Sequence, residues 1–95
     1  MKTRPSKNIF VALGYGSEEA ENLRIRSALM AALTEHIRET GLTQSEAAER
    51  LAVSQPRISD LTRGRIEVFS VDTLIAMLAR FGLRTSIRIS KSNVA

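Results

Sequence analysis

Between Thr43 and Arg65 the chain gathers Gln44, Ser54, Gln55, Arg57, Ser59, Asp60, Arg63 and Arg65. Amides and guanidiniums of this kind bind rather than react, because they make paired hydrogen bonds with planar donor–acceptor edges and with anionic oxygens. A Gln amide matches the N6/N7 edge of adenine and an Arg guanidinium the O6/N7 edge of guanine, each worth about 1–3 kcal/mol of discrimination. Reactive chemistry has no comparable set. His36 is the only His, there is no Cys, and no Gly-rich phosphate loop, nucleophile elbow or metal-ligand cluster occurs. On a helix face His36 reads as a capping or solvated side chain. No catalytic residue, metal or cofactor is expected.

Presenting these groups together takes two short helices. Thr43-Gln44-Ser45-Glu46 matches a capping box, with Thr at the N-cap and Glu three residues on. The helix it opens carries Ala47, Ala48 and Leu51. Ser54 caps the next one, with Pro56 in the first turn, where its missing N–H costs nothing. Ile58 and Leu61 mark the inner face of that second helix, and Gly64 ends it. Two such helices, joined by about four residues, bury themselves only by crossing tightly. Ala48 is the small residue at the crossing, and Val53, Ile58 and Leu61 supply apolar contact. Gln55, Arg57, Ser59 and Asp60 then avoid the core positions. Thr43 and Gln44 lie at a helix N-terminus, where backbone N–H groups attract anions.

The flanks read as support. Ser17 can cap a long helix of about six turns, with Glu18, Glu19 and Glu21 in its first turns, where negative charge suits the dipole. Leu29, Leu33 and Ile37 form its stripe, widened by Leu23, Ile25 and Met30, and Gly41 fits a left-handed C′ position. Ala52, in the turn between the two short helices, would be strained if that turn is left-handed. Ser70 caps a fourth helix with Leu74, Ile75, Leu78 and Phe81 inward and Gly82 at its end. Leu83, Thr85, Ile87 and Ile89 then alternate with Arg84, Ser86, Arg88 and Ser90, the period of a half-buried strand. Asn8 to Leu13 (NIFVAL) is apolar, and its periodicity leaves strand or docking segment open.

A lone strand must pair. The simplest expectation is pairing with its own copy around a two-fold axis, giving a dimer interface of Leu78, Phe81, Thr85, Ile87 and Ile89. The alternative is a tail folded back on its own domain. The organisation expected is a flexible arm with a short apolar segment over 1–16, a binding domain over 17–82, and a dimerisation strand and tail over 83–95. Met1 to Ser6 reads as the basic arm and Lys91 to Ala95 as a frayed end.

Bulk properties agree with one domain. The 95 residues suffice for a single compact unit, 43% hydrophobic and only 4% aromatic, so the core rests on Leu, Ile, Val and Ala. The net charge is +4, and 11 of the 14 basic residues are Arg, the side chain suited to phosphate and guanine. Charge is polarised: residues 17–51 are net acidic, whereas the first eight residues and everything after Asp72 are basic. No apolar run approaches a membrane span and no signal-peptide core is visible, so the expected location is cytoplasmic.

Residues 43–65 resemble the helix-turn-helix of phage repressors and Cro, the Xre-type family. The resemblance rests on Thr43-Gln44, Ala48, the Val53/Ile58/Leu61 triplet and Gly64. The family often has Gly where this chain has Ala52. Over 17–90 the chain is similar to HigA-type antitoxins, through Ser54-Gln55-Pro56-Arg57-Ile58-Ser59-Asp60-Leu61 and a β-like tail after Phe81-Gly82. The resemblance implies a mainly α, four- to five-helix, lambda-repressor-like domain with a C-terminal β-strand pairing across a dimer. It further implies a sequence-specific repressor that binds a palindromic double-stranded operator as a homodimer. As the antitoxin of a type II toxin–antitoxin pair it would also bind a RelE-like ribonuclease toxin and regulate its own operon. Alternatives are a stand-alone Xre-type regulator, or a toxin-neutralising interaction module without DNA binding. The DNA-contacting set would be Thr43, Gln44, Ser54, Gln55, Pro56, Arg57, Ser59, Asp60, Arg63 and Arg65, with Gln55 and Arg57 at base edges and Asp60 either accepting from cytosine or, the favoured reading, orienting Arg57 or Arg63.

Overall fold

Three short helices share one local start code. Each begins with an apolar residue, a hydroxyl N-cap, and a second apolar residue four positions after the cap: Leu42-Thr43 with Ala47, Val53-Ser54 with Ile58, Phe69-Ser70 with Leu74. The Thr43, Ser54 and Ser70 hydroxyls accept from the backbone N–H of Glu46, Arg57 and Thr73. All six apolar members lie in or against one hydrophobic cluster. Cap and staple together fix where each helix starts and the angle at which the chain approaches it.

The computed structural model describes residues 8–91. Its elements are α1 (Ile9–Ala12), α2 (Ser17–Thr40), α3 (Gln44–Leu51), α4 (Gln55–Thr62), a 3₁₀ turn (Ile66–Val68) and α5 (Val71–Arg80). The long α2 is the spine, with α1, α4, the 3₁₀ turn and α5 against it, while α3 packs on α4 and α5. Its buried stripe is Ala20, Leu23, Leu29, Met30, Leu33 and Ile37. Among the described residues no polar or charged side chain is buried, so the core itself is held by apolar packing alone. No helix among them is long and apolar enough to cross a membrane. The arm expected over Met1–Ser6 and the end of the tail, 92–95, lie outside the described residues.

The expected C-terminal strand is absent. Among the described residues there is no β-strand, and Leu83–Lys91 runs on without a ladder partner. The other candidate strand, NIFVAL, has become α1. Asn8 caps it by accepting from Phe10 N (2.9 Å) and ties it to α2 by donating to the Ala20 carbonyl (3.0 Å). A strand is defined by its neighbour, and the described residues offer none. Ile87 and Ile89 consequently stand 78% and 88% exposed.

Two smaller expectations change. Ser17 is the first residue inside α2 rather than its cap; the cap position is Gly16, with no side-chain bond. On α5 the inner positions are Leu74, Met77, Leu78 and Phe81, and Ile75, about 100° round the helix from Leu74, is exposed.

The α3–α4 turn holds a strained residue. Gly41, after α2, is left-handed (φ 75°) at no steric expense, but Ala52, after α3, adopts φ 57° and ψ 42°. The left-handed region costs a non-glycine residue roughly 1–2 kcal/mol, and glycine's greater freedom when unfolded returns about 0.4–1 kcal/mol of that. Ala52→Gly is therefore expected to stabilise the protein by about 0.5–1 kcal/mol, seen as a higher urea midpoint at unchanged m-value. A lower midpoint would show that the Ala52 backbone is not under strain.

Candidate nucleic-acid interface

Ile58 and Leu61 are fully buried and turn the inner face of α4 to the core. Gln55, Pro56, Thr62 and Arg63 are exposed as a result, and Arg57, Ser59 and Asp60 are half-buried. Behind α4, α3 is opened by a complete capping box: Thr43 Oγ1 accepts from Glu46 N (3.1 Å) and Glu46 Oε1 from Thr43 N (2.9 Å). Gln44, the first residue of α3, reaches across and donates from Nε2 to Thr62 Oγ1 (3.4 Å). This contact joins the N-terminus of α3 to the last turn of α4, so Thr43, Gln44 and the end of α4 share one exposed surface. Ser54 is engaged as the cap of α4, with its Oγ 3.4 Å from Arg57 N.

Past α4, Asp60 faces two cations. Its Oδ1 lies 3.4 Å from Arg63 Nη2 and 3.8 Å from Arg65 Nη1. Arg65 also donates from Nε to Glu67 Oε2 (2.9 Å). The backbone N–H of Glu67 and then the Arg65 guanidinium hold the Glu67 carboxyl below the usual carboxylate range. Both arginines keep about half or more of their side-chain surface in solvent, so these pairs are loose and exchangeable.

Arg57 is placed differently from the base-reading position that its sequence context suggests. Its Nη1 donates to the Val68 carbonyl (2.9 Å), and its guanidinium lies 5.2 Å from the centroid of the Phe69 ring. It points along the flank of α4, toward the 3₁₀ turn. Asp60 accordingly pairs with Arg63 and Arg65.

The five residues assigned to a dimer contact are divided. Leu78 and Phe81 are 4% and 7% exposed within the chain's own core. Phe81 meets His36 edge-on at 4.7 Å, and the Arg50 guanidinium covers it at 5.3 Å. Thr85 is half-buried, and Ile87 and Ile89 are open. Sequence reasoning passed over Arg26, Glu67 and Phe69. The only advance signal for Phe69 is its place before the Ser70 cap; Arg26, 40 residues from its partner Ile66, has none. Among the described residues no group of three His, Cys, Asp or Glu is placed to hold a metal.

A family profile described as a helix-turn-helix domain matches residues 13–90. A solved structure provisionally described as an XRE family transcriptional regulator is similar at 32% identity and a TM-score of 0.72, over 81% of this chain and 86% of that one. A search of curated proteins gave no match. The matched span takes in the α3–α4 pair, both of its caps and α2 beneath it, and the chain belongs to the XRE/Cro-type helix-turn-helix family.

Proposed function

We propose that the protein is a sequence-specific transcriptional repressor that binds a palindromic DNA operator as a homodimer. The observation that carries this reading is α4: fixed from behind by Ile58 and Leu61, with Gln55, Pro56 and Arg63 exposed and Ser59 half-exposed. Such a helix lies in the major groove with its first turns at the base edges. Gln55 pairs with adenine, and Ser59 contacts the neighbouring base or its phosphate. Thr43, Gln44, Ser54 and the N–H groups that open α3 and α4 hold phosphates, as do Arg63 and Arg65, which Asp60 orients. Members of this family regulate rather than catalyse. Ile75, Ile87 and Ile89 leave an apolar area on α5 and the tail, which supports a second copy there. A two-fold dimer would present its recognition helices about 34 Å apart, one helical turn of DNA.

A finer reading makes this repressor the antitoxin of a type II pair. It rests on the resemblance of 17–90 to HigA-type proteins. In its favour, α1 and the following loop expose Ile9, Val11, Leu13 and Tyr15, and the chain continues into exposed Glu18 and Glu19, a combination of apolar and acidic groups suited to a small basic toxin. A stand-alone regulator would have no such partner, so an adjacent gene for a small basic ribonuclease, whose product co-purifies, separates the two.

Selection of bound duplexes from a random pool tests the main reading. A palindrome with half-sites one turn apart is expected, and Gln55→Ala should relax preference at one base pair per half-site by about 1–3 kcal/mol. A pool that never converges would end the proposal.

A further inference from the structure

Two guanidiniums from different helices converge on the short connection between α4 and α5. Arg57 of α4 donates to the Val68 carbonyl at 2.9 Å and covers the Phe69 ring. Arg26 of α2 donates from Nη1 to the Ile66 carbonyl (3.1 Å) and to the Phe69 carbonyl (3.3 Å), and is itself oriented by Nε on Asn22 Oδ1 (2.7 Å). Three carbonyls of four consecutive residues are thus satisfied by side chains. The connection contains a single 3₁₀ turn and short turn bonds, Phe69 N donating to the Ile66 carbonyl at 3.3 Å among them, and the guanidiniums add to these. Charged donors on backbone acceptors are among the stronger contacts available, and here they tie α4 and α2 to the same segment.

The geometry points to Arg57 as a positioning residue, which with Arg26 braces the Ile66–Phe69 segment and so sets the angle at which α4 is presented to DNA. This rests on the DNA-binding reading above and assigns base selection within it to Gln55 and Ser59. An arginine in the first turn of a recognition helix has three distinguishable employments. As a base reader it would confer preference at one base pair. As a phosphate clamp it would steepen the salt dependence. As a brace it does neither, and its loss weakens every sequence alike.

The experiment uses the full chain and the operator recovered by site selection. Wild type, Arg57→Ala, Arg57→Lys and Arg26→Ala are compared at a low temperature at which circular dichroism shows each fully folded. Three quantities are read: affinity, base-preference profile and salt slope. Arg57→Ala is expected to bind roughly five- to thirty-fold more weakly, with profile and slope as in wild type. Arg26→Ala, on the other side of the segment, should reproduce that pattern. Arg57→Lys should recover only part of the affinity, since an ammonium cannot stack on Phe69 as a planar guanidinium does. A residue serving stability alone would leave affinity unchanged at that temperature, and that result overturns the assignment. Relaxed preference at one base pair would make Arg57 a reader, and a slope shallower by about one per copy a phosphate clamp; either also overturns it. If wild-type protein selects no sequence at all, the DNA-binding reading fails first and this assignment fails with it.

Discussion

Phe69→Ala is expected to lower the thermal midpoint by about 12–40 °C, because truncating a buried Phe costs about 3–5 kcal/mol and each kcal/mol moves a domain of this size by about 4–8 °C. The upper half of that range applies if the cavity stays open, and several features argue that it does. Phe69 is 1% exposed and is the apolar residue that staples the start of α5. Its ring lies under the Arg57 guanidinium and its carbonyl accepts from Arg26. The surrounding backbone is held on both sides and is poorly able to relax into the space. A loss of that size is comparable to the whole stability of a small domain, about 5–15 kcal/mol. Phe69→Leu, which keeps most of the volume, should retain most of the midpoint. Denaturation followed by circular dichroism decides the matter, and an alanine variant melting within a few degrees of wild type would show that Phe69 does not anchor this corner.

Operator affinity should fall by roughly 150-fold between 50 and 200 mM salt. The figure follows from Arg63 and Arg65 each neutralising one phosphate in both copies of a dimer: four contacts at about 0.9 counterions apiece give a log–log slope near −3.6 over a fourfold rise in salt. Both side chains are well exposed and their pairs with Asp60 and Glu67 are loose, so they can exchange those partners for phosphate. Arg63→Ala or Arg65→Ala should each flatten the slope by about one unit per copy while leaving the preferred sequence intact. Fluorescence anisotropy across a salt series measures this directly. A wild-type slope near −1 would show that neither arginine meets the backbone.

The parts of the fold that proved readable in advance are those encoded within a few residues. The Thr43–Glu46 capping box, the Ser54 and Ser70 caps, the Gly41 stop and the inward stripe of α2 are all local patterns, and the structure contains each of them. The tail is not encoded in this local way. Leu83 to Ser90 alternates as a strand would, but alternation gives only a preferred side, and pairing needs an edge elsewhere. The other apolar candidate for that edge, NIFVAL, is drawn into a helical turn by the Asn8 cap and its bond to Ala20. On α5, Ile75 was expected inward, but the buried set Leu74, Met77, Leu78 and Phe81 keeps the i, i+3, i+4, i+7 spacing of one helix face and leaves Ile75 outside it. At the interface, residue types and positions on α4 were readable, but the destination of Arg57 was not. Its partners Val68 and Phe69 belong to a segment whose path is set by packing against α2, and no spacing rule connects position 57 to position 26.

Asp60 sits within reach of both Arg63 and Arg65. An incoming phosphate therefore finds these cations already attended by a rival acceptor. An oxyanion gains only to the extent that it serves both guanidiniums better than the resident carboxylate does, which sets a threshold for sticking. On the proposed DNA-binding reading, polyanions whose charges fall at the wrong spacing would displace that carboxylate less well than a correctly spaced phosphate backbone does.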